Sequence, residues 1–243
     1  MDALSLYRSG DLRAAVDALG GELKKQPLDA RRRTFLFELL CFSGEYERAE
    51  KHLDILADAS SEAAAGAMLY RSALHAERER QEMFASDRLP LGTNHPSPAG
   101  ELNGAAFAGV SDADPRIGAH LEVFIAGSYT WIPFAYIESV ETEPPKRLRD
   151  MLWLPAVLRT TSDFRLQDLG EVLLPAIAPL SWKHSDDAVR LGRATIWEDS
   201  DKYGAVPFGQ KLLLSGEEET PLLEIRKLSF HQAEERAESA AAR

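Results

Sequence analysis

At 243 residues and 44% apolar, the chain has enough material for one large domain or two ordinary ones with a sizeable core, which excludes wholesale disorder. Its 28 basic and 39 acidic residues give a formal net charge of −11, the acidic excess falls mostly after Pro90, and no basic stripe with interleaved aromatics offsets it, so nucleic acid is excluded as a natural partner. A lone cysteine, Cys41, excludes an internal disulfide or a multi-cysteine zinc site, and its neighbours Leu39, Leu40 and Phe42 mark it as a small buried hydrophobe.

Every apolar run falls short of the ~20 residues of a membrane span. Met1 to Asp11 alternates polar and apolar residues where a signal peptide has an unbroken apolar core. The expectation is a cytoplasmic protein with no membrane partner. Further along, Gly10-Asp11-Leu12-Arg13-Ala14-Ala15 and Gly44-Glu45-Tyr46-Glu47-Arg48-Ala49 share one shape at an offset of 34 residues. At that offset Leu6 answers Leu40, and Leu19 answers Leu53. The glycine supplies a tight turn between two helices and the alanine lets them cross closely. Pro27 falls where the second helix of a pair stops, and Leu28-Asp29 opens the next. Thirty-four residues is the tetratricopeptide period, so residues 1–88 are predicted to form a tetratricopeptide-like (TPR-like) α-helical domain. Ser61 to about Asp87 reads as one long helix with apolar residues at Ala65, Met68, Leu69, Ala73 and Ala76. Arg78 stands where the register would put a glycine, which suits an atypical terminal unit that caps the stack.

In tetratricopeptide register, the first helix of each pair lines a concave face. That face would carry Ser5, Arg8, Arg31, Thr34, Glu38, Cys41, Phe42, Met68, Ser72 and His75. Its mixed polarity suits an amphipathic helix or an extended peptide, and the competing expectation is that some of these residues pack against the half that follows.

Residues 89–115 read as a linker, broken by Pro90, Gly92, Pro96, Pro98, Gly100, Gly104 and Gly109, with a short helical turn around Leu102 to Phe107. Residues 116–230 read as a β-rich domain. His120–Ile125 and Tyr129–Phe134 flank the glycine-bearing connection Ala126-Gly127-Ser128. Further strands are predicted over Ile137–Val140, Leu152–Thr161, Gly170–Leu174, Ala188–Trp197, Lys211–Leu214 and Leu222–Leu228, with Pro133 and Pro155 confined to edges or strand ends. Residues 231–243 read as a frayed or disordered tail. The predicted fold class is α+β multidomain: a TPR-like helical repeat domain followed by a mostly antiparallel β-barrel or sandwich.

No phosphate-binding loop, dinucleotide fingerprint, nucleophile elbow or zinc-protease helix occurs. His184-Ser185-Asp186-Asp187 brings an imidazole near two carboxylates, but it reads better as an acidic turn that starts a strand. Glu141/Glu143 and Asp199/Asp201 read as solvated loop charge. No catalytic residue, metal or cofactor is expected.

Several motifs in order resemble one family. They are Leu102-Asn103-Gly104, the run Leu121-Glu122-Val123 leading to Gly127, Tyr129 and Trp131-Ile132-Pro133, and Pro145-Lys146-Arg147-Leu148-Arg149-Asp150 through Trp153. Gly170-Glu171-Val172-Leu173-Leu174-Pro175 follows, then Asp186-Asp187 leading into Leu191-Gly192-Arg193-Ala194-Thr195 and Trp197, then Pro221-Leu222-Leu223-Glu224. Together they resemble the ImpE/TagJ family, over nearly the whole chain to about Leu228. The resemblance implies a cytoplasmic accessory protein of type VI secretion systems. It implies binding to the N-terminal segment of the small sheath subunit (TssB-like), and a link to sheath recycling by a ClpV-type AAA+ ATPase. It brings no catalytic residues. A general tetratricopeptide scaffold or chaperone for another client is the alternative, and an enzyme with a site between the halves, near His184 or His120, is a third reading. Arg147–Asp150 and Asp186–Arg193 are read as Arg–Asp pairs that tie loops together, a second contact site being the alternative. The two halves are expected to dock rigidly.

Overall fold

The computed structural model describes residues 2–90, 95–164 and 169–231. Five helices come first: α1 (Ala3–Ser9), α2 (Leu12–Lys25), α3 (Ala30–Phe42), α4 (Tyr46–Ala57) and α5 (Ser61–Ala85). Asp2, Asp11, Asp29 and Ser60 stand just before four of them. Each accepts the backbone N–H three residues on, at 2.9, 2.8, 3.0 and 3.1 Å respectively, a cap worth about 1 kcal/mol. Gly10 and Gly44, at φ +90° and +73°, reverse the chain between α1 and α2 and between α3 and α4. The offset of 34 therefore relates two helical hairpins, and the paired positions Ala15/Ala49 and Leu19/Leu53 are all buried in one core.

Thirteen strands follow among the described residues: β1 (Gly100–Leu102), β2 (Ala105–Phe107), β3 (Ser111–Asp112), β4 (His120–Ile125), β5 (Ser128–Pro133), β6 (Ile137–Thr142), β7 (Trp153–Thr160), β8 (Gly170–Pro175), β9 (Thr195–Ser200), β10 (Gly204–Gly209), β11 (Leu212–Ser215), β12 (Glu218–Pro221) and β13 (Lys227–Phe230). A short helix, α6 (Asp187–Arg190), precedes β9. Eight strands form one antiparallel sheet in the order β2-β1-β13-β6-β7-β8-β4-β5. The strands β12-β11-β3 form a second sheet and β10-β9 a separate ribbon.

Several expectations are corrected. The large sheet is open, with β2 and β5 as its edges among the described residues, and no closed barrel forms. The strand expected over Ala188–Trp197 is α6 followed by β9; Asp186 caps the helix by accepting the Ala188 N–H at 2.8 Å, and its side chain was the missed start signal. Leu222–Leu228 begins instead with a 3-10 turn, Leu222–Glu224, before β13. The helical turn expected at Leu102–Phe107 is the β1–β2 hairpin, closed by Asn103 and Gly104, both at positive φ, as a two-residue hairpin turn requires. The segment read as a linker thus contributes β1, β2 and β3 to the sheets. Of the expected tail, 232–243 lies outside the described residues.

Two cores result. One unites Leu12, Leu19, Leu36, Phe37, Leu40 and Leu53 of the helices with Phe124, Leu152, Trp153 and Leu191 of the β-half. The other lies within the β-half and joins Val123, Ile132, Val140, Leu158 and Leu174 of the large sheet to Leu213 of β11.

Candidate functional site

The face predicted to bind a partner is divided in two by the β-half. Glu38, Cys41 and Phe42, in the second half of α3, are only 7%, 3% and 2% exposed. They lie beneath the turn Leu148–Met151 and the start of β7, and Cys41 and Phe42 share their core with Leu152 and Trp153. The open groove expected along them is filled by the chain itself. Burial lifts the Glu38 carboxyl to about 7, against the pull of Arg149, whose backbone N–H it accepts. Burial also pushes the Cys41 thiol well above its ordinary range.

The other predicted residues lie outside this covered strip. Arg31 is exposed at the start of α3, and Thr34 donates its hydroxyl to the Ala30 carbonyl at 3.0 Å. On α5, Met68 is 68% exposed and its neighbour Leu69 75%. Ser72 is half-buried against the β4–β5 turn, where a Cβ on Gly127 would stand 3.3 Å from its own. His75 is exposed, 3.4 Å from Glu79. On α1, Ser5 donates to its cap Asp2 at 3.1 Å, and the Arg8 carbonyl accepts from Arg193 at 3.1 Å. Phe37 meets Tyr70 edge-on at 5.1 Å, which sets α3 and α5 side by side. Met68 is two positions from Tyr70, about 200° around α5, and so points away from the side that meets Phe37, whereas Arg31 and Thr34 stand at the start of α3. Arg8 lies in the first hairpin, apart from both.

The covered part is held by charges that sequence reasoning missed. Arg80 of α5 is fully buried and donates to Glu122 of β4 through Nε at 2.7 Å and Nη2 at 3.0 Å. It also donates to Glu77 at 3.1 Å and to the Ile177 carbonyl at 2.9 Å. Lys211 bridges Glu122 and Asp112, and Tyr129 donates to Glu122 as well. Burial alone would raise the Glu122 carboxyl, but Arg80 and Lys211 outweigh it and hold the group at about 2. Asp112 is lifted by burial to about 6 despite Lys211. Glu77 accepts the Trp153 indole N–H at 3.0 Å, and Gln81 accepts the Leu180 N–H at 2.8 Å and the Trp182 indole at 3.2 Å. The available signal was a glutamate inside the apolar strand Leu-Glu-Val-Phe-Ile, where a buried charge demands a partner.

Both helical turns dock on one segment of the β-half, Ser181 to Arg193. Asp187 accepts the Leu12 N–H at 2.8 Å, so it caps α2 from a distance. Arg193 donates to the Tyr7 and Arg8 carbonyls at 2.7 and 3.1 Å, with its guanidinium 4.7 Å from the Tyr7 ring centroid. Trp182 lies against Gly44, where a Cβ would come within 2.4 Å of its ring. At the other motif cluster, Asp150 accepts the Lys146 and Arg147 N–H groups, each at 2.9 Å, and Arg149 lies 4.9 Å over Tyr70. His184 accepts the Asp186 N–H at 3.0 Å and stands 3.6 Å from Glu198. Among the described residues no group of three His, Cys, Asp or Glu side chains is arranged to hold a metal ion, and no helix is long and apolar enough to cross a membrane.

A family model described as ImpE protein matches residues 104–229, more than half of the chain. The chain is 33% identical to the type VI secretion system accessory component TagJ of Pseudomonas aeruginosa, over 95% of this chain and 91% of that protein. The chain belongs to the ImpE family. The crystal structure of protein VPA1032 from Vibrio parahaemolyticus superposes with a TM-score of 0.83 at 25% identity, covering 95% of this chain and 97% of that one. In this ImpE chain the matched region includes both motif clusters, and each of them touches the helical half: Asp187 and Arg193 at the first hairpin, Arg149 at α3 and α5.

Proposed function

We propose that this chain is a non-catalytic, cytoplasmic accessory protein of a type VI secretion system. Its helical half, read as tetratricopeptide-like, holds the N-terminal helix of the small contractile-sheath subunit (TssB-like) and links the sheath to recycling by a ClpV-type AAA+ ATPase. The observation that carries the reading is 33% identity to TagJ over almost the full length of both chains. Residues 1–88 would form the partner-binding unit, and 116–230 together with the strands β1, β2 and β3 would form the support that fixes it.

The binding site is assigned to the uncovered end of the helical face. Met68 and Leu69 are large apolar side chains left in solvent on a helix whose later turns are buried. Ser72 and His75 continue the strip along α5, and Thr34 and Arg31 of α3 are included as polar and cationic positions. An apolar pair rimmed by polar groups suits one face of an amphipathic helix. Calorimetric titration with a peptide of the sheath subunit's N-terminal helix, from the same bacterium, tests this. Micromolar binding that weakens at least tenfold in Met68→Ser/Leu69→Ser supports both role and site. Binding indifferent to that change relocates the site, and no binding removes the sheath reading.

A further inference from the structure

The tryptophans are not all used alike. Trp131, Trp153 and Trp182 each donate their indole N–H inside the molecule, to Tyr129, Glu77 and Gln81. Trp197 is 40% exposed, and its indole N–H has no partner among the described residues. An apolar ring with an unused donor at the surface is the character of an interface residue. Trp197 stands on β9, in the ribbon that belongs to neither larger sheet. The ribbon is held from its β10 side, where the Gly209 carbonyl accepts the Ala178 N–H at 2.7 Å and the Gly209 N–H goes to the Ser181 hydroxyl at 2.8 Å. At the ribbon's tip Lys202 and Tyr203 bond Asp87, just past α5. Asp87 lies nineteen residues beyond Met68, roughly 28 Å at a rise of about 1.5 Å per residue.

Pairing within the ribbon fixes which backbone groups of β9 point outward. Gly209, the partner of Thr195, uses both its groups away from β9, and Pro207, the partner of Trp197, has no N–H to give a ladder. Antiparallel pairs alternate between those that bond each other and those that do not. Thr195, Trp197 and Asp199 are therefore the unbonded positions, with N–H and C=O directed away from β10. No backbone hydrogen bond from elsewhere in the described residues reaches them. The strand runs six residues without proline, lysine or a register shift. Glu198, Asp199 and Asp201 are exposed along it, and of these only Glu198 has an ionic neighbour, His184 at 3.6 Å. Pairing β9 with a second copy of itself would gather the carboxylates of both copies in one seam, between molecules of net charge −11, which charge repulsion opposes.

We propose that β9 accepts an extended segment of a second protein as a third strand of the ribbon, with an apolar residue opposite Trp197 and a lysine or arginine opposite Asp199. Backbone pairing with Thr195, Trp197 and Asp199 supplies the fit, the indole is the apolar anchor, and the carboxylates select basic side chains. Trp197 and Asp199 share one face of the strand, so the two recognised side chains stand two positions apart in the segment. This contact does not depend on the sheath assignment.

The probe is the peptide acetyl-Thr-Lys-Lys-Val-Thr-Thr-amide, which in antiparallel register sets its valine opposite Trp197 and a lysine opposite Asp199. It is titrated into the full chain, isotope-labelled at the indole nitrogens, with the Trp197 resonance assigned by Trp197→Phe. The expected result is a saturable shift of that resonance while the other indole signals stay in place. Calorimetry should show binding weakened at least tenfold in Trp197→Ala and in Glu198→Lys/Asp199→Lys, both of which change exposed side chains only. A peptide with glutamate in place of lysine, and one N-methylated at the residues facing the outward groups of β9, should not bind. Equal binding of the N-methylated peptide means charge adsorption without strand pairing and overturns the proposal. So does the absence of binding, or an affinity unchanged in Trp197→Ala. A wild-type dimer that Trp197→Ala converts to monomer assigns the edge to a second copy of this chain and also overturns it. Met68→Ser/Leu69→Ser should bind this peptide as wild type does, and Trp197→Ala should bind the sheath-helix peptide unchanged, so the two readings stand or fall separately.

Discussion

Glu38 occupies a position where burial and charge oppose one another. Its carboxyl is enclosed between α3 and the turn at Leu148–Met151, near Arg149, Arg147 and Asp150, and burial raises it from 4.5 to about 7. A carboxyl raised on folding binds more protons in the folded chain than in the unfolded one, between pH about 4.5 and 7. Stability from this group therefore rises as pH falls through 7, levels off below 4.5, and is lacking above 7. Asp112, lifted to about 6, acts in the same direction, whereas Glu122, held at about 2, loses its contribution only below pH 4.5. Comparing wild type with Glu38→Gln isolates the first effect, because the other two groups are common to both. The glutamine variant should be more stable at pH 8 by about 2–3 kcal/mol and equal to wild type near pH 5. Urea midpoints at the two pH values check this, and a difference that does not change with pH would show that the Glu38 carboxyl is not held neutral by its burial.

The helical hairpins are positioned by their turns, and the two turns differ in what they touch. Gly10 and Gly44 both have positive φ, but a Cβ on Gly10 would meet only the Arg193 guanidinium at 3.6 Å, whereas one on Gly44 would enter the Trp182 ring. Gly10→Ala should therefore cost about 1–2 kcal/mol, the left-handed backbone penalty alone. Gly44→Ala should cost a further 1–3 kcal/mol or so, from overpacking. Chemical denaturation of both variants, with Trp182→Ala added to relieve the second, checks the difference; equal costs would place Trp182 away from the turn. These glycines were legible because two copies of one pattern at a fixed spacing repeat a local backbone requirement. The hairpin turn Asn103-Gly104 was less so: its strands are three residues each, too short for alternation to separate them from a helical turn. Phe42 shows the other limit. Its place on the first helix of a pair was read correctly, but whether that face meets a partner or the chain's own β-half depends on contacts more than a hundred residues away, such as Trp153, which no local pattern encodes.

At the scale of the molecule, the question is whether helices and sheet form one folding unit. The apolar core shared by α3, α5 and β7 couples them, and the Arg80–Glu122–Lys211–Asp112 cluster adds a requirement for alignment: each charge is satisfied only when α5, β4, β3 and the start of β11 come together. Apolar periodicity could not place this cluster, since its four members come from four separate elements and only Glu122 interrupts an apolar run. Buried ion pairs add little net stability compared with apolar substitutes, yet removing one partner leaves the others uncompensated at a cost of about 3–5 kcal/mol. Glu122→Gln removes the carboxylate that Arg80 and Lys211 share and leaves Arg80 only Glu77 and Lys211 only Asp112, so its cost should fall at or below the lower end of that range. Three of the four tryptophans pack against the helices, so the infrared amide band of β-strands is used to report the β-half, while helical ellipticity at 222 nm reports chiefly α1 to α5. In wild type the two thermal curves should coincide. In Glu122→Gln both should shift to lower temperature and the helical curve should lead, because α5 loses its ionic anchor while β4 keeps its pairing with β5 and β8. Separate curves already in wild type would mean that the halves fold independently and that the cluster aligns two finished domains. Coincident curves in the variant, with no destabilisation, would mean that the apolar interface alone holds α5 against the sheet.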